Sequence, residues 1–175
     1  YIQISNNQEI FLVVRLFTYL FASLSGDWLN FLKNIKIIFT DIKIAHTVFA
    51  LPFAVMSAFL AAKGMPDFDK LIWILIAMFT ARNGAMAFNR IADTKIDRLN
   101  PRTKDRALPA GKSTAIQYWI FLILSSLVFL FSTYMLNSLA FALSPVALGI
   151  VFGYSFAKRF TSLSHLWLGV AISIA

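Results

Sequence analysis

The sequence has 175 residues, of which 59% are hydrophobic and 14% charged, with a formal net charge of +8. That balance is far more apolar than a soluble domain's and places the chain among integral membrane proteins, while the lack of cysteine excludes disulfides and thiolate metal sites. The positive charge does not indicate nucleic acid, because the basic residues sit in short clusters between apolar runs, where they report orientation and anionic headgroups.

In chain order, residues 1–9 are polar. Ile10–Leu24 is apolar but carries Arg15 at its middle, which predicts an interfacial or packed helix rather than a clean span. Residues 1–45 thus read as a polar start with an interfacial helix. Crossing a ~30 Å hydrocarbon core takes roughly 20 residues. Runs of suitable character are His46–Ala62, Leu71–Phe88, Ile116–Leu136 and Leu139–Ala157, with a fifth starting at Leu166. The first is short, although Ile42 and Ile44 can extend it. Asn100-Pro101 is expected to end the second helix, since proline removes a donor and biases its predecessor out of the α region. Pro109-Ala110-Gly111 then turns the loop. With no internal repeat and no strand-like alternation, the fold class is all-α, a polytopic transmembrane helical bundle forming one membrane domain over 1–175. The sequence opens at Tyr1 and stops at Ala175 inside the apolar run LWLGVAISIA. A span cut there leaves backbone groups that lipid cannot satisfy, so the chain is expected to be part of something longer.

The connections sort by charge. Lys33, Lys36 and Lys43 precede the first span, Arg90 through Lys112 follow the second, and Lys158-Arg159 ends the fourth. The opposite side has only Lys63 and Lys70. The rich side is expected to be cytoplasmic, in the cytoplasmic (inner) membrane.

On that side lies NRIADTKID, residues 89–97. Four-residue steps advance only about 40° around a helix, so Asn89, Asp93 and Asp97 share a face. Stacked carboxylates repel unless a cation joins them. Mg²⁺ prefers oxygen ligands, takes one or two carboxylates and completes its shell with water and phosphate. That points to Mg²⁺ and a phosphorylated substrate. The plainer alternative is a helix end with solvated ion pairs to Lys95, Arg98 and Arg90.

Arg82 lies seven residues before Asn89, on the same face and about 10 Å deeper. A charge there costs roughly 2.5–3.5 kcal/mol on insertion scales and usually lines a cavity or meets an anion. Gly84, Ala85 and Ala87 leave room or allow close helix packing. Tyr154 and Lys158, in YSFAK, stand four apart on the same membrane side; alone they suit an aromatic belt and positive-inside orientation. Opposite an acidic site they suggest an anion held between. The loop NPRTKDRALPAGK adds Arg102, Lys104, Arg106 and Lys112, after Arg98. Arginine suits phosphate, which makes Arg102 and Arg106 candidate substrate contacts; a solvated topogenic loop explains them equally well.

These motifs together carry a resemblance. N-x-x-x-D-x-x-x-D, then N-P-R-T-x-x-R-x-L-P-x-G, with an Arg seven residues before the Asn and Y-x-x-x-K-R-x-T after, closely resembles the UbiA superfamily of intramembrane aromatic prenyltransferases. The match runs from HTVFALPF, residues 46–53, to SHLWLG, residues 164–169. RALPAG looks most like the branch acting on 4-hydroxybenzoate or on aromatic acids of menaquinone pathways. The resemblance implies a nine-helix bundle, about five of whose spans fall in this chain, with 46–175 as prenyltransferase core. It implies that Asn89, Asp93 and Asp97 hold Mg²⁺ on a polyprenyl diphosphate, that Lys158 and Tyr154 grip the diphosphate, and that Arg82 faces the carboxylate of the aromatic acid acceptor. The family's second Asp-rich motif has no counterpart after Asp97 here, so residues 1–175 alone are expected to be inactive.

A reading from another class is a carrier or an ion- or proton-conducting protein built on Arg82 and the Asp pair. Such a protein would show polar residues through several spans and helices broken in corresponding halves. Here the ionisable groups gather at one membrane face, and only Pro52 and Pro145 argue for breaks.

Overall fold

The computed structural model describes residues 33–43, 45–48, 50–160, 166 and 169, and no strand occurs among them. The predicted helix at 10–24 and the start of a fifth span at Leu166 lie outside the continuously described residues. The chain divides into two compact units, 1–37 and 38–175. Of the first, residues 33–37 are described and are helical. The helices are α1 (residues 33–41), α2 (Ala45–Val48), α3 (Leu51–Ala62), α4 (Phe68–Leu99), α5 (Ala115–Leu136) and α6 (Ser138–Phe160).

The first expected span, His46–Ala62, is not one helix. Pro52 at the start of α3 has no N–H to give the carbonyl of Val48, and its ring crowds that carbonyl. The backbone turns instead at Ala50, whose N–H bonds the Thr47 carbonyl at 3.1 Å before Ala54 picks up Ala50. α3 alone has 12 residues, too few to cross a bilayer by itself.

The other three predicted spans are helices long and apolar enough to cross a membrane: α4, α5 and Ser138–Ala157 within α6. α4 ends where Asn100-Pro101 requires, with Asn100 extended at φ −97°, ψ 120°. α5 opens on a capping box in which the Thr114 side chain and Gln117 satisfy each other's backbone N–H groups. One residue, Asn137, joins α5 to α6, and its side chain accepts from Ala140 N at 2.7 Å. Pro145 lies inside α6, where it cannot bond the Phe141 carbonyl. The Ser144 hydroxyl takes that carbonyl at 2.7 Å, so the helix passes the proline without an orphaned acceptor.

α5 buries Tyr118, Leu122, Ser125, Phe129, Ser132 and Thr133, a stripe at helical spacing. Its hydroxyls at Ser132 and Thr133 turn back onto Val128 and Leu130 carbonyls at 2.7 and 2.8 Å. α4 meets this stripe through Gly84 and Ala87, both buried. A Cβ on Gly84 would sit 3.5 Å from the Ser125 Cβ. Small residues thus bring the two helices close, as the GAMA stretch predicts. The other faces of α5, with Ile120, Ile123, Leu124 and Leu127, are exposed and apolar. The apolar core gathers at the loop end: Ile38, Ile42, Ala87, Leu108, Tyr118 and Leu122.

Candidate active site on the long helix

α4 has 32 residues, about 48 Å of helix, against a hydrocarbon core of ~30 Å. Counted from Phe68, Arg82 stands about 21 Å along, Asn89 about 32 Å, and Asp93 and Asp97 beyond. With Asp69 and Lys70 marking the opposite edge, that length puts Arg82 inside the apolar layer and the carboxylates beyond its far side.

The neighbours of α4 divide its circumference. Gly84 faces Ser125 and Leu122 of α5. Phe88 packs against Phe152 and Phe156 of α6, tilted on the first and edge-on to the second, with ring centroids 4.9 and 5.6 Å away. Asn83 accepts from the Thr47 hydroxyl at 3.4 Å, and Arg90 reaches Asp41. At 100° per residue, Arg82, Asn89 and Asp93 occupy the remaining sector, between α6 and residues 41–47. Arg82 and Asn89 are half-buried there. Arg82 makes no ion pair among the described residues.

The two aspartates are not solvated. Asp93 is 7% and Asp97 5% exposed. Asp97 is paired through Oδ2 with Arg106 Nη1 at 2.7 Å, and its backbone carbonyl accepts from the Thr103 hydroxyl at 3.1 Å. The surface-pair alternative named Lys95, Arg98 and Arg90. Lys95 and Arg98 are exposed, and Arg90 turns away to Asp41. Arg102 is exposed, and its backbone N–H caps the Asn100 side chain at 3.0 Å.

Asp41, which local sequence reasoning missed, organises this end of the molecule. Its carboxylate accepts from Arg90 Nε at 3.0 Å, the Tyr118 hydroxyl at 2.7 Å and the Ala107 N–H at 3.1 Å. Its own carbonyl accepts from Arg90 Nη2 at 2.8 Å. One buried carboxylate thus ties the end of α1 to α4, to the loop and to α5. The faint signal is a lone acid among lysines, between the apolar positions Ile38 and Ile42. Its partners are 49 to 77 residues away and leave no local pattern.

Phe152 and Phe156 bring that part of α6 to the level of Asn89. Tyr154, half-buried, leaves the helix about 160–200° from them, so it shares the level and not the Phe88 contact. The Lys158 side chain lies outside the described residues. The structure therefore brings Asp97 and Arg106 into contact, and sets Arg82, Asn89 and Asp93 in one sector.

Residues 50–175 match the model of the UbiA prenyltransferase family. The chain is 42% identical over 120 residues to a 4-hydroxybenzoate octaprenyltransferase of Vibrio atlanticus, covering 68% of this chain and 42% of that protein. It is 38% identical to the protein of the same name from Psychromonas ingrahamii, covering 65% and 40%. The fold resembles the apo structure of a UbiA homolog from Aeropyrum pernix K1, with TM-score 0.69 and 39% identity over 74% of this chain and 46% of that one. The chain thus spans about 42% of the length of the first of these curated relatives.

Proposed function

The chain belongs to the UbiA prenyltransferase family, a multi-pass membrane family, and from that premise we propose that its full-length protein transfers a polyprenyl group from a polyprenyl diphosphate to the ring of an aromatic acid, with Mg²⁺ as cofactor. The acceptor is 4-hydroxybenzoate or an acid of menaquinone biosynthesis, and the site opens to the cytoplasm. The names of the relatives support the first acceptor.

The observation that carries this reading is the pair of buried carboxylates at the membrane edge, beneath an arginine-bearing loop. Asn89, Asp93 and Asp97 are all-oxygen donors on one helix, the chemistry Mg²⁺ prefers. No cluster of three or more acidic, His or Cys side chains surrounds them among the described residues, so substrate phosphate would complete the shell. When bound, the ion supplies charge neutralisation for the departing diphosphate.

The protein's own residues do the rest. Arg102, Arg106, Tyr154 and Lys158 hold the diphosphate as charge builds on it, a stabilisation aimed at the leaving group. Arg82, in the apolar layer, meets the acceptor's carboxylate and fixes the ring. The ring carbon ortho to the hydroxyl bonds the allylic carbon as its C–O bond breaks, and the ring then loses that carbon's proton. The apolar walls exclude water, which would otherwise capture the allylic cation.

The test is transfer of labelled prenyl groups by the full-length protein. Asp93→Ala should abolish turnover while leaving the protein folded. A folded Asp93→Ala protein that still prenylates would remove the Asp-rich face from the mechanism.

A further inference from the structure

Arg106 holds one of the two oxygens that Asp97 would offer the proposed metal. Its Nη1 lies 2.7 Å from Asp97 Oδ2, with the Asp97 side chain 8% and that of Arg106 28% exposed. The contact is built, because the loop is tied down on both sides of Arg106. Three residues before, the Thr103 hydroxyl bonds the carbonyl of Asp97 itself; one residue after, the Ala107 N–H bonds Asp41. The Arg106 N–H closes the turn onto the Thr103 carbonyl at 3.1 Å.

A carboxylate this buried is costly without a positive partner, and Arg106 supplies one. A divalent cation in direct contact with the same oxygen would meet the guanidinium at close range. The carboxylate has two oxygens, but cations on both repel at that range, so each weakens the other's hold on Asp97. We propose that Arg106 is an internal competitor for the metal: it holds Asp97 until a diphosphate offers the guanidinium another anionic partner. Metal and diphosphate then load together, and neither binds well alone. This rests on the reading of Asp97 as a metal ligand. Arg106 acts here as a positioning residue, through Asp97. The sign is diagnostic: removing Arg106 strengthens metal binding in the absence of diphosphate. A residue that only helped to gather ligands would have no such effect.

The experiment measures Mn²⁺, a spectroscopic stand-in for Mg²⁺, by the paramagnetic resonance signal of the free ion. It uses the full-length protein in detergent, with and without inorganic diphosphate. Without diphosphate, Arg106→Gln is expected to bind Mn²⁺ about two- to fivefold more tightly than wild type, the scale of a partly exposed ion pair that no longer has to be broken. Adding Asp97→Asn should erase the gain. Lys104→Gln removes the same charge from an exposed position in the loop and should give none of it. Arg106→Lys should give a smaller gain and serves as the second variant if the first does not fold. Unchanged or weaker Mn²⁺ binding in a folded Arg106 variant overturns the proposal, as does an equal gain from Lys104→Gln. Wild-type protein that takes up no Mn²⁺ even with diphosphate would overturn the metal reading itself, a distinct outcome.

Discussion

Arg90 donates to Asp41 at 3.0 Å across 49 residues of sequence, and both side chains are more than nine-tenths buried. The pair sits beside Asn89 and three residues before Asp93, and through Tyr118 and Ala107 it fixes α5 and the loop on the same carboxylate. Breaking a buried pair from one side leaves a charge stranded, whereas replacing both partners with apolar groups is often tolerated. Asp41→Ala is therefore expected to destabilise by about 3–5 kcal/mol. Asp41→Leu combined with Arg90→Met should cost less than Asp41→Ala alone. Tyr118→Phe, which loses one bond to a charged acceptor, should cost about 1.5–3 kcal/mol. Reversible unfolding in mixed micelles measures all three, and a double variant weaker than the single would refute the stranded-charge account.

Gly84 gives a prediction about packing. An added Cβ meets Ser125 at 3.5 Å and Leu122 at 3.8 Å, ordinary contact distances. Gly84→Ala should thus be neutral or stabilise by up to about 1 kcal/mol through helix propensity. Gly84→Leu must push α5 away and should lower the unfolding midpoint sharply. Equal effects of the two would show that α4 and α5 are not held at this distance.

Arg82 is half-buried, about two turns below Asn89, with no ion-pair partner among the described residues. If it meets the acceptor's carboxylate, Arg82→Ala should weaken binding of the acid at least about tenfold while changing prenyl diphosphate binding little, since charge-assisted bonds are worth roughly 1.5–3 kcal/mol. Arg82→Lys should not restore the affinity, because the two-pronged contact is lost. Titration of the full-length protein with each substrate separately decides this. Equal losses for both would move Arg82 to the diphosphate.

Topology can be read directly, since this chain has no cysteine. Lys104 is exposed in the loop. Lys104→Cys is expected to react with a membrane-impermeant thiol reagent only when the cytoplasmic face is accessible. Labelling in intact cells would reverse the orientation drawn from the basic clusters.

The sequence by itself determined the class, the three long helices and the order of the motifs. Each of these depends on local quantities: run length against bilayer thickness, proline and asparagine at Asn100-Pro101, and four-residue spacing in NRIADTKID. The break at Pro52 was legible, since the missing N–H is a local fact, but the continuous hydropathy of HTVFALPF outweighs it, and His46–Ala62 reads as one span. The tertiary structure decided which charges meet. Spacing offered Arg90 and Arg98 to Asp93 and Asp97 because they lie within a helical turn or so. The fold gives Arg90 to Asp41 and Arg106 to Asp97, because burial makes a distant, well-placed partner worth more than a near, solvated one. Asp41 carries only a faint mark of that role in its own neighbourhood, as a lone acid between Ile38 and Ile42. Its importance arises only when α1, α4, α5 and the loop converge on it, and convergence is a property of the packed chain, not of any window of residues.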